Sequence, residues 1–432
     1  MNPTSPAAAA QPAQWQAMNT RIAGKKVLTI ILAGGKGSRL APLTDQVAKP
    51  AVPFLGTYRL IDFSLSNVVH SGLQDVWIIE QYLPHSLNTH LAGGRPWDLD
   101  RTRGGLEVMP PFSGPQDDDG GFAEGNAHAL ALHTDLIRAS GAEVVLVLSA
   151  DHIYKLDYAP VIEQHLQTGA SVTMVTTDIA DPSEATRFSN VKTGAQGKVT
   201  EFAYKPDEPL GRTVACEVFV YDADLLLSTL CTLEEEGQLG DYGEHLLPRL
   251  VERGDAYTYP LEGYWLDVGT LDAYHQAHRD FLDGIGLELD DPNWPFITSS
   301  ITRPPTRIRP AGTINESFVC GGADISGTVV RSLIGPGAVV EKGAEVRDSI
   351  VQAGAVIRAG AQVSRAIVDR DAEVGEKAVV GGQSVNARLC VVGAGAQVEA
   401  GATLSPNLQV PPGARLKAGA EAEVAEELGG ES

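Results

Sequence analysis

Cysteine is scarce in this 432-residue chain. Cys216, Cys231, Cys320 and Cys390 are the only four, none forms a CxxC pair, and no histidine stands beside them at metal-ligand spacing. This excludes a disulfide framework and a cysteine-based zinc site, and leaves reduced thiols of the kind expected in the cytoplasm. Long apolar runs are missing too; none approaches the ~18 residues that a membrane span requires, so no membrane partner is expected. Basic residues are in deficit, 33 Lys and Arg against 55 Asp and Glu, for a net charge of −22. So acidic a chain disfavours nucleic acid as a partner, and any anionic ligand must sit in a local basic pocket. Residues 1–24 lack the basic stretch of a signal peptide and break their alanines with proline and glutamine, which reads as a disordered tail. Residues 423–432 read as an acidic tail.

Glycine is in excess, 46 residues against an average share of about 7%, and it falls in two settings. The first is residues 25–285. VLTIIL (27–32), VWIIE (76–80), VVLVL (144–148) and SVTMVTT (171–177) are short β-branched runs suited to buried strands. Between them Ile61, Leu65, Val68 and Val69 share a helical face that Gly72 ends, and Val161, Ile162 and Leu166 share another that Gly169 ends. The alternation predicts an α/β domain with a mostly parallel sheet. Residues 286–312 are proline-rich and aperiodic, and read as a linker.

The second setting is residues 313–422. Ile334, Val340 and Val346 are six apart, as are Val351, Ile357 and Val363, and Val368, Val374 and Val380. Each triplet starts 17 residues after the last, which places Val385 next; Val392, Val398, Leu404, Val410 and Leu416 resume the six-residue step. Glycine stands three residues after most of these positions. A strict six-residue period predicts a left-handed parallel β-helix, because disorder keeps no register of β-branched residues.

The first predicted strand runs into LAGGKGSRLAPLTDQVAKP (32–50). Its glycines let backbone N–H groups approach a phosphate chain, and Lys36, Arg39 and Lys49 place three cations within reach of it. Glycines alone would describe an ordinary tight turn. With the cations they describe a nucleotide site.

At this point the chain resembles a known family. LAGGKGSRLAPLT…AKPAVPF is similar to the signature of the sugar-1-phosphate nucleotidyltransferases, and most of all to the glucose-1-phosphate adenylyltransferases (ADP-glucose pyrophosphorylases). YRLIDFSLSNVVHSG (58–72), QYLPHSLNTHL (81–91), ADHIYKLDY (150–158), YKPDEP (204–209), DYGEHLLPRL (241–250) and YWLDVGTLDAY (264–274) match its landmarks in order. The resemblance implies a Rossmann-like nucleotidyltransferase domain with a mixed, mostly parallel sheet, followed by the β-helix, in a homotetramer whose β-helix serves assembly and effector control. The implied reaction is Mg²⁺-dependent transfer of a nucleotidyl group from a nucleoside triphosphate to a sugar 1-phosphate, releasing pyrophosphate. ATP and glucose 1-phosphate, giving ADP-glucose for glycogen synthesis, are the default pair.

It also implies roles. Leu32, Ala33, Gly34, Gly35, Lys36, Gly37, Ser38 and Arg39, with Glu124 and Gly125, would take the nucleotide. Arg39, Lys49, Asp151 and Asp267 would form the catalytic set, the two aspartates as Mg²⁺ ligands, since two anions repel until a divalent ion bridges them. Tyr204, Lys205, Glu217 and Trp265 would receive the sugar phosphate. His152 reads as an orienting group rather than a base, because the sugar phosphate is already an anion. The acidic SGPQDDDGG (113–121) reads as a solvated loop.

Departures from the family pattern cluster in two places. On the base side, Arg or Gln followed by Gly-Thr-Ala-Asp-Ala becomes Glu124-Gly125-Asn126-Ala127-His128-Ala129. His128 thereby removes a carboxylate from a predicted helix start. On the sugar side, Phe-Gly becomes Phe188-Ser189, Glu-Lys-Pro becomes Tyr204-Lys205-Pro206, and Ser-Met-Gly-Ile-Tyr becomes Ala215-Cys216-Glu217-Val218-Phe219. Altered specificity is therefore expected, since sites built on hydrogen bonds to hydroxyls discriminate strongly. Two alternatives stay open: a nucleotidyltransferase for another sugar phosphate or base, and a non-catalytic paralogue that binds nucleotide sugar. An acyltransferase on the β-helix is set aside, because such sites use a histidine base and none follows His278.

Overall fold

A computed structural model of the chain describes residues 21–110, 123–299, 302–384 and 387–418. The expected acidic loop at 113–121, the acidic tail and nearly all of the expected N-terminal tail lie outside these residues. Arg21–Ile22 already pairs with Lys25–Lys26, so ordered chain begins ahead of residue 25.

The main strands of the first domain are β1 (Lys25–Ala33), β2 (Asp75–Glu80), β3 (Gly105–Met109), β4 (Val144–Ser149), β5 (His152–Tyr154), β6 (Val172–Asp178), β7 (Ser189–Thr193), β8 (Val199–Tyr204), β9 (Thr213–Asp222), β10 (Ala256–Pro260) and β11 (Trp265–Asp267). The helices that cover them include α1 (Ile61–His70), α2 (Asn126–Ala131), α3 (Tyr158–Thr168), α4 (Ala223–Glu235), α5 (Leu246–Glu252) and α6 (Leu271–Leu282). β3, β2, β1 and β4 lie side by side in parallel, and β9 runs antiparallel to β4. Alternate residues of these strands are buried on opposite faces. Val27 and Ile31 meet α1 and α3, while Leu28 and Ile30 join the core with α4 and α5. Burial on both faces explains the near-continuous apolar runs. The predicted helix faces and stops are borne out, with Gly72 at φ 72° and Gly169 at φ 61° ending α1 and α3.

Behind this domain, three sheets of seven, six and six parallel strands wind into the left-handed β-helix. Columns such as Ile334, Val351, Val368, Val392 and Val410 stack in register with full burial. Each such side chain contributes roughly 1.5–3 kcal/mol. Two expectations are corrected. Coil strands begin already at Arg307–Ile308, inside the expected linker. And the 17-residue step is not kept beyond this point: Val385, expected next, lies outside the described residues, and the partner of Val368 in the following coil is Val392. Within the expected linker, residues 294–297 pack down as a strap, with Phe296 buried against Phe63 and Trp294 Nε1 donating to Asn67 Oδ1 at 3.1 Å.

One sheet of the β-helix is apolar on its outer face as well. Leu333, Ile350, Ile367 and Val391 point outward and form a shared core with Leu40, Leu43, Val52, Phe54, Leu55 and Phe281. Polar contacts fix the alignment. Gln352 Nε2 donates to the Tyr274 hydroxyl at 2.6 Å, which donates to the Pro53 carbonyl, and Leu55 N donates to His278 Nε2 at 3.1 Å. The segment between Arg39 and Arg59 is thus held from below by the second domain.

Candidate active site

β1 and β4 are parallel, so their carboxyl ends open on the same edge of the sheet. From β1 the chain enters Gly34–Gly37. Gly37 has φ +70°, and a Cβ there would meet Lys49 and Thr44 at 3.1 Å, so only glycine lets the loop lie against the lysine. Thr44 Oγ1 donates to the Gly37 carbonyl at 2.9 Å and pins the turn. Lys36 and Arg39 are exposed at the mouth of the site and make no ion pair with any described residue.

From β4 the chain delivers Asp151, and the short ribbon of β5 and β11 pairs His152 with Asp267. This pairing joins two segments far apart in sequence. Lys49 Nζ is bonded to Asp151 Oδ2 and lies 3.9 Å from Asp267 Oδ1. Ser149 Oγ also donates to Asp151. Burial tends to lower the Lys49 pKa, but Asp151 and Asp267 outweigh it and raise it. Burial would raise Asp151; Lys49 and His152 prevail and hold its carboxyl below the usual range.

His152 is buried. Its Nδ1–H donates to the Cys216 carbonyl at 3.0 Å, and its Nε2 faces Asp267, Asp151 and Glu217 at 3.6, 3.7 and 3.8 Å. Burial works to lower its pKa, and the three carboxylates together raise it. Ligand atoms of Asp151, His152 and Asp267 all lie within 4.8 Å of one another. Carboxylates outnumber the one ammonium among them, so the cluster fits a hard divalent cation bound through one or two carboxylates.

Glu217 enters by a bulge. β9 pairs with β6 up to Ala215 and again from Phe219, and the residues between leave the ladder, with Glu217 at φ 55°. Bulges re-aim a side chain, and a non-glycine residue at such φ costs about 1–3 kcal/mol. Burial is the chief cause that raises the Glu217 pKa, with His152 opposing. The Tyr242 hydroxyl bonds to it.

Lys205 is also left-handed, at φ 42°. Its Nζ donates to the Tyr204 hydroxyl at 2.7 Å, which donates to Asp241 Oδ2 at 2.7 Å. Burial and then Asp241 push the Tyr204 phenol well above its usual range, so it stays protonated. Asp241 Oδ1 accepts from Asn126 N at 3.2 Å, and the Gly240 carbonyl accepts from Ala127 N and His128 N at 2.9 and 3.2 Å. The carboxylate that His128 displaces from the helix start is thus supplied by Asp241 from another segment.

A cavity of about 380 Å³ is lined by Leu32 to Arg39, Lys49, Asp151, His152, Lys205, Glu217, Asp241, Tyr242 and Asp267. A second, about 220 Å³, shares Leu32, Gly34, Gly35, Lys36, Asn126 and Asp241 with it and adds Gly125. Three expected residues line neither. Trp265 stands behind the wall, edge-on to His152 and Phe188 with ring centroids 5.3 Å away in each case. Tyr204 backs Lys205. Glu124 lines neither cavity; its N–H donates to His128 Nδ1 at 3.1 Å. Sequence reasoning assigned no role to Asp241 or Tyr242, although both sit in the DYGEHLLPRL segment; only its match to a landmark marked it.

Gly125 is tightly placed. A Cβ there would fall 2.3 Å from the Gly240 carbonyl carbon. Gly125→Ala is expected to lift the start of α2, cost about 1–3 kcal/mol of stability and raise the KM for the nucleotide several-fold. Thermal melting and initial rates check it.

A glycine loop beside paired acids, at the carboxyl ends of parallel strands, is the arrangement of a nucleotide-dependent enzyme. Comparison with known proteins makes the class particular. The Nucleotidyl transferase family matches residues 28–284, and the GlmU-like C-terminal hexapeptide family matches residues 306–389. Glucose-1-phosphate adenylyltransferase of Thermotoga neapolitana is 38% identical over 325 residues, covering 74% of this chain and 76% of the relative. The protein of the same name from Clostridioides difficile is 37% identical over 331 residues, 76% of this chain and 85% of the relative. The chain belongs to the nucleotidyl transferase family, in the company of the glucose-1-phosphate adenylyltransferases, and is an enzyme of nucleotidyl transfer. Among the described residues no helix is long and apolar enough to cross a membrane.

Proposed function

We propose that the protein joins ATP to glucose 1-phosphate, forming ADP-glucose and pyrophosphate in an α-glucan pathway, with Mg²⁺ at Asp151 and Asp267. The observation that carries this reading is the convergence of Lys49, Asp151 and Asp267 beneath the glycine loop. The names of the relatives support the substrate pair.

In the proposed reaction a phosphate oxygen of the sugar phosphate attacks the α-phosphorus of ATP in line. The new P–O bond forms as the bond to the β-phosphate oxygen breaks, and the pair of electrons leaves on pyrophosphate. The loop N–H groups with Lys36 and Arg39 hold the triphosphate and stabilise the departing charge. Lys205 holds the sugar phosphate. Bound at the two aspartates, the cation would neutralise the repulsion between the anions. Glu217 accepts hydrogen bonds from sugar hydroxyls in place of the family glutamate that Tyr204 has displaced. Trp265 serves the sugar side indirectly by setting the His152 and Phe188 rings. The homotetramer, effector control through the β-helix and a cytoplasmic setting belong to the same reading.

A pyrophosphate-release panel over nucleoside triphosphates and sugar 1-phosphates tests this. ATP with glucose 1-phosphate is expected to give the highest kcat/KM. Turnover with no pair would favour the non-catalytic paralogue, and preference for another pair would reassign the substrate.

A further inference from the structure

The geometry points to Tyr204 as a positioning residue that sets Lys205 and couples the sugar-phosphate side of the site to the nucleotide side through Asp241. This rests on the placement of the sugar phosphate at Lys205 given above.

Asp241 divides its two carboxylate oxygens between two partners. Asp241 Oδ1 takes the N–H of Asn126, the first residue of α2, and Oδ2 takes the Tyr204 hydroxyl. That hydroxyl in turn accepts from Lys205 Nζ, which also lies 4.5 Å from the Tyr204 ring centroid. Asp241 lines both cavities, whereas Lys205 lines only the larger. The line from Asn126 through Asp241 and Tyr204 to Lys205 therefore runs from one subsite to the other.

The tyrosine has little freedom to move. A Cβ on Gly243 would fall 2.0 Å from Tyr204 Cδ2, so the ring lies flat against a position that admits no side chain. The backbone on its other side is fixed by Lys205 N donating to the Phe188 carbonyl at 3.1 Å. Lys205 itself is exposed and held at a positive φ, so its ammonium has no described acceptor that fixes it apart from the Tyr204 oxygen. A shift of α2 on nucleotide binding moves Asp241, and the phenol transmits that shift to the ammonium. Each ligand then favours the other, and the factor is the same in both directions.

Calorimetric titration of the full chain tests the coupling. The ligand is glucose 1-phosphate, or the sugar phosphate that the turnover panel selects, with and without a non-hydrolysable ATP analogue and Mg²⁺. In the unmodified protein the analogue is expected to tighten sugar-phosphate binding about fivefold or more. Tyr204→Phe keeps the ring on Gly243 and removes the hydroxyl. It is expected to weaken sugar-phosphate binding about five- to twentyfold, change analogue binding less than twofold, and bring the coupling factor close to one. Asp241→Asn breaks the same line from the other end and is expected to reduce the coupling factor likewise, which decides the matter if Tyr204→Phe folds poorly. An unchanged coupling factor in the folded variants, or equal weakening of both ligands by Tyr204→Phe, would overturn the proposal. A protein that binds both ligands yet releases no pyrophosphate refutes the enzymatic reading, while the variants still decide on Tyr204. One that binds no sugar phosphate overturns the coupling itself.

Discussion

Asp151→Asn is expected to lower kcat about a thousandfold or more and to leave the fold intact. Asparagine keeps the volume and one oxygen that can accept from Ser149, so local packing survives. What it removes is the charge that holds Lys49 and, with Asp267, makes the cluster negative enough for a divalent cation. Lys49 retains only the more distant Asp267, and its ammonium is free to turn toward the triphosphate as an unregulated counter-ion. Activity should accordingly be lost in kcat far more than in the KM for ATP. Circular dichroism and melting establish folding, and pyrophosphate release measures kcat. A non-catalytic paralogue would show no change in whatever rate is measured, so this one variant separates the two readings.

Ile367→Ala is expected to cost about 2–4 kcal/mol, in the range for truncating a fully buried aliphatic side chain, and to reduce kcat as well. Ile367 belongs to the outward row of the β-helix that packs on Leu40, Phe54 and their neighbours. Those residues flank Lys49 in sequence, so a cavity beneath them loosens the segment that holds the Lys49 ammonium against Asp151. The control is Val363→Ala. Val363 is equally buried but faces the interior of the coil stack, so its truncation should lower the melting temperature and spare kcat. Thermal melting and rates on both variants check the contrast; equal losses of kcat would mean that global destabilisation, not the shared core, is responsible.

Much of this architecture was legible in the residues. The β-branched runs at 27–32, 76–80 and 144–148 lie in strands, and that at 171–177 does so from Val172 on, because burial on both faces leaves an unmistakable pattern. The six-residue register located the coil columns until residue 380, after which Val368 pairs with Val392 and Val380 with Leu404; a strict period carries no information about where a coil takes on extra residues. The glycine loop with Lys36, Arg39 and Lys49, and the aspartates after strands, line one cavity as their sequence pattern led one to expect. The coupling of Asp241 to Tyr204 was not. Nothing in local sequence pairs residues 204 and 241, and only the fold of β8 against the turn before α5 joins them. The docking row had left a signal: Leu333-Ile334, Ile350-Val351, Ile367-Val368 and Val391-Val392 are apolar doublets in four successive coils, whereas the other two sheets interrupt such doublets with polar residues, as in Asp324-Ile325, Gln362-Val363 and Glu373-Val374.

That row bears on how such chains can be rearranged. The catalytic domain and the β-helix are separate lengths of sequence, and they match two separate families. Yet Leu40, Val52, Phe54 and Leu55 from the one and Leu333, Ile350, Ile367 and Val391 from the other form one hydrophobic cluster. The two lengths are modules on paper and one object in water. Recombination that joined this nucleotidyltransferase to a foreign coil stack would have to bring the same apolar column in the same register, or leave a wet seam beneath the segment that carries Lys49.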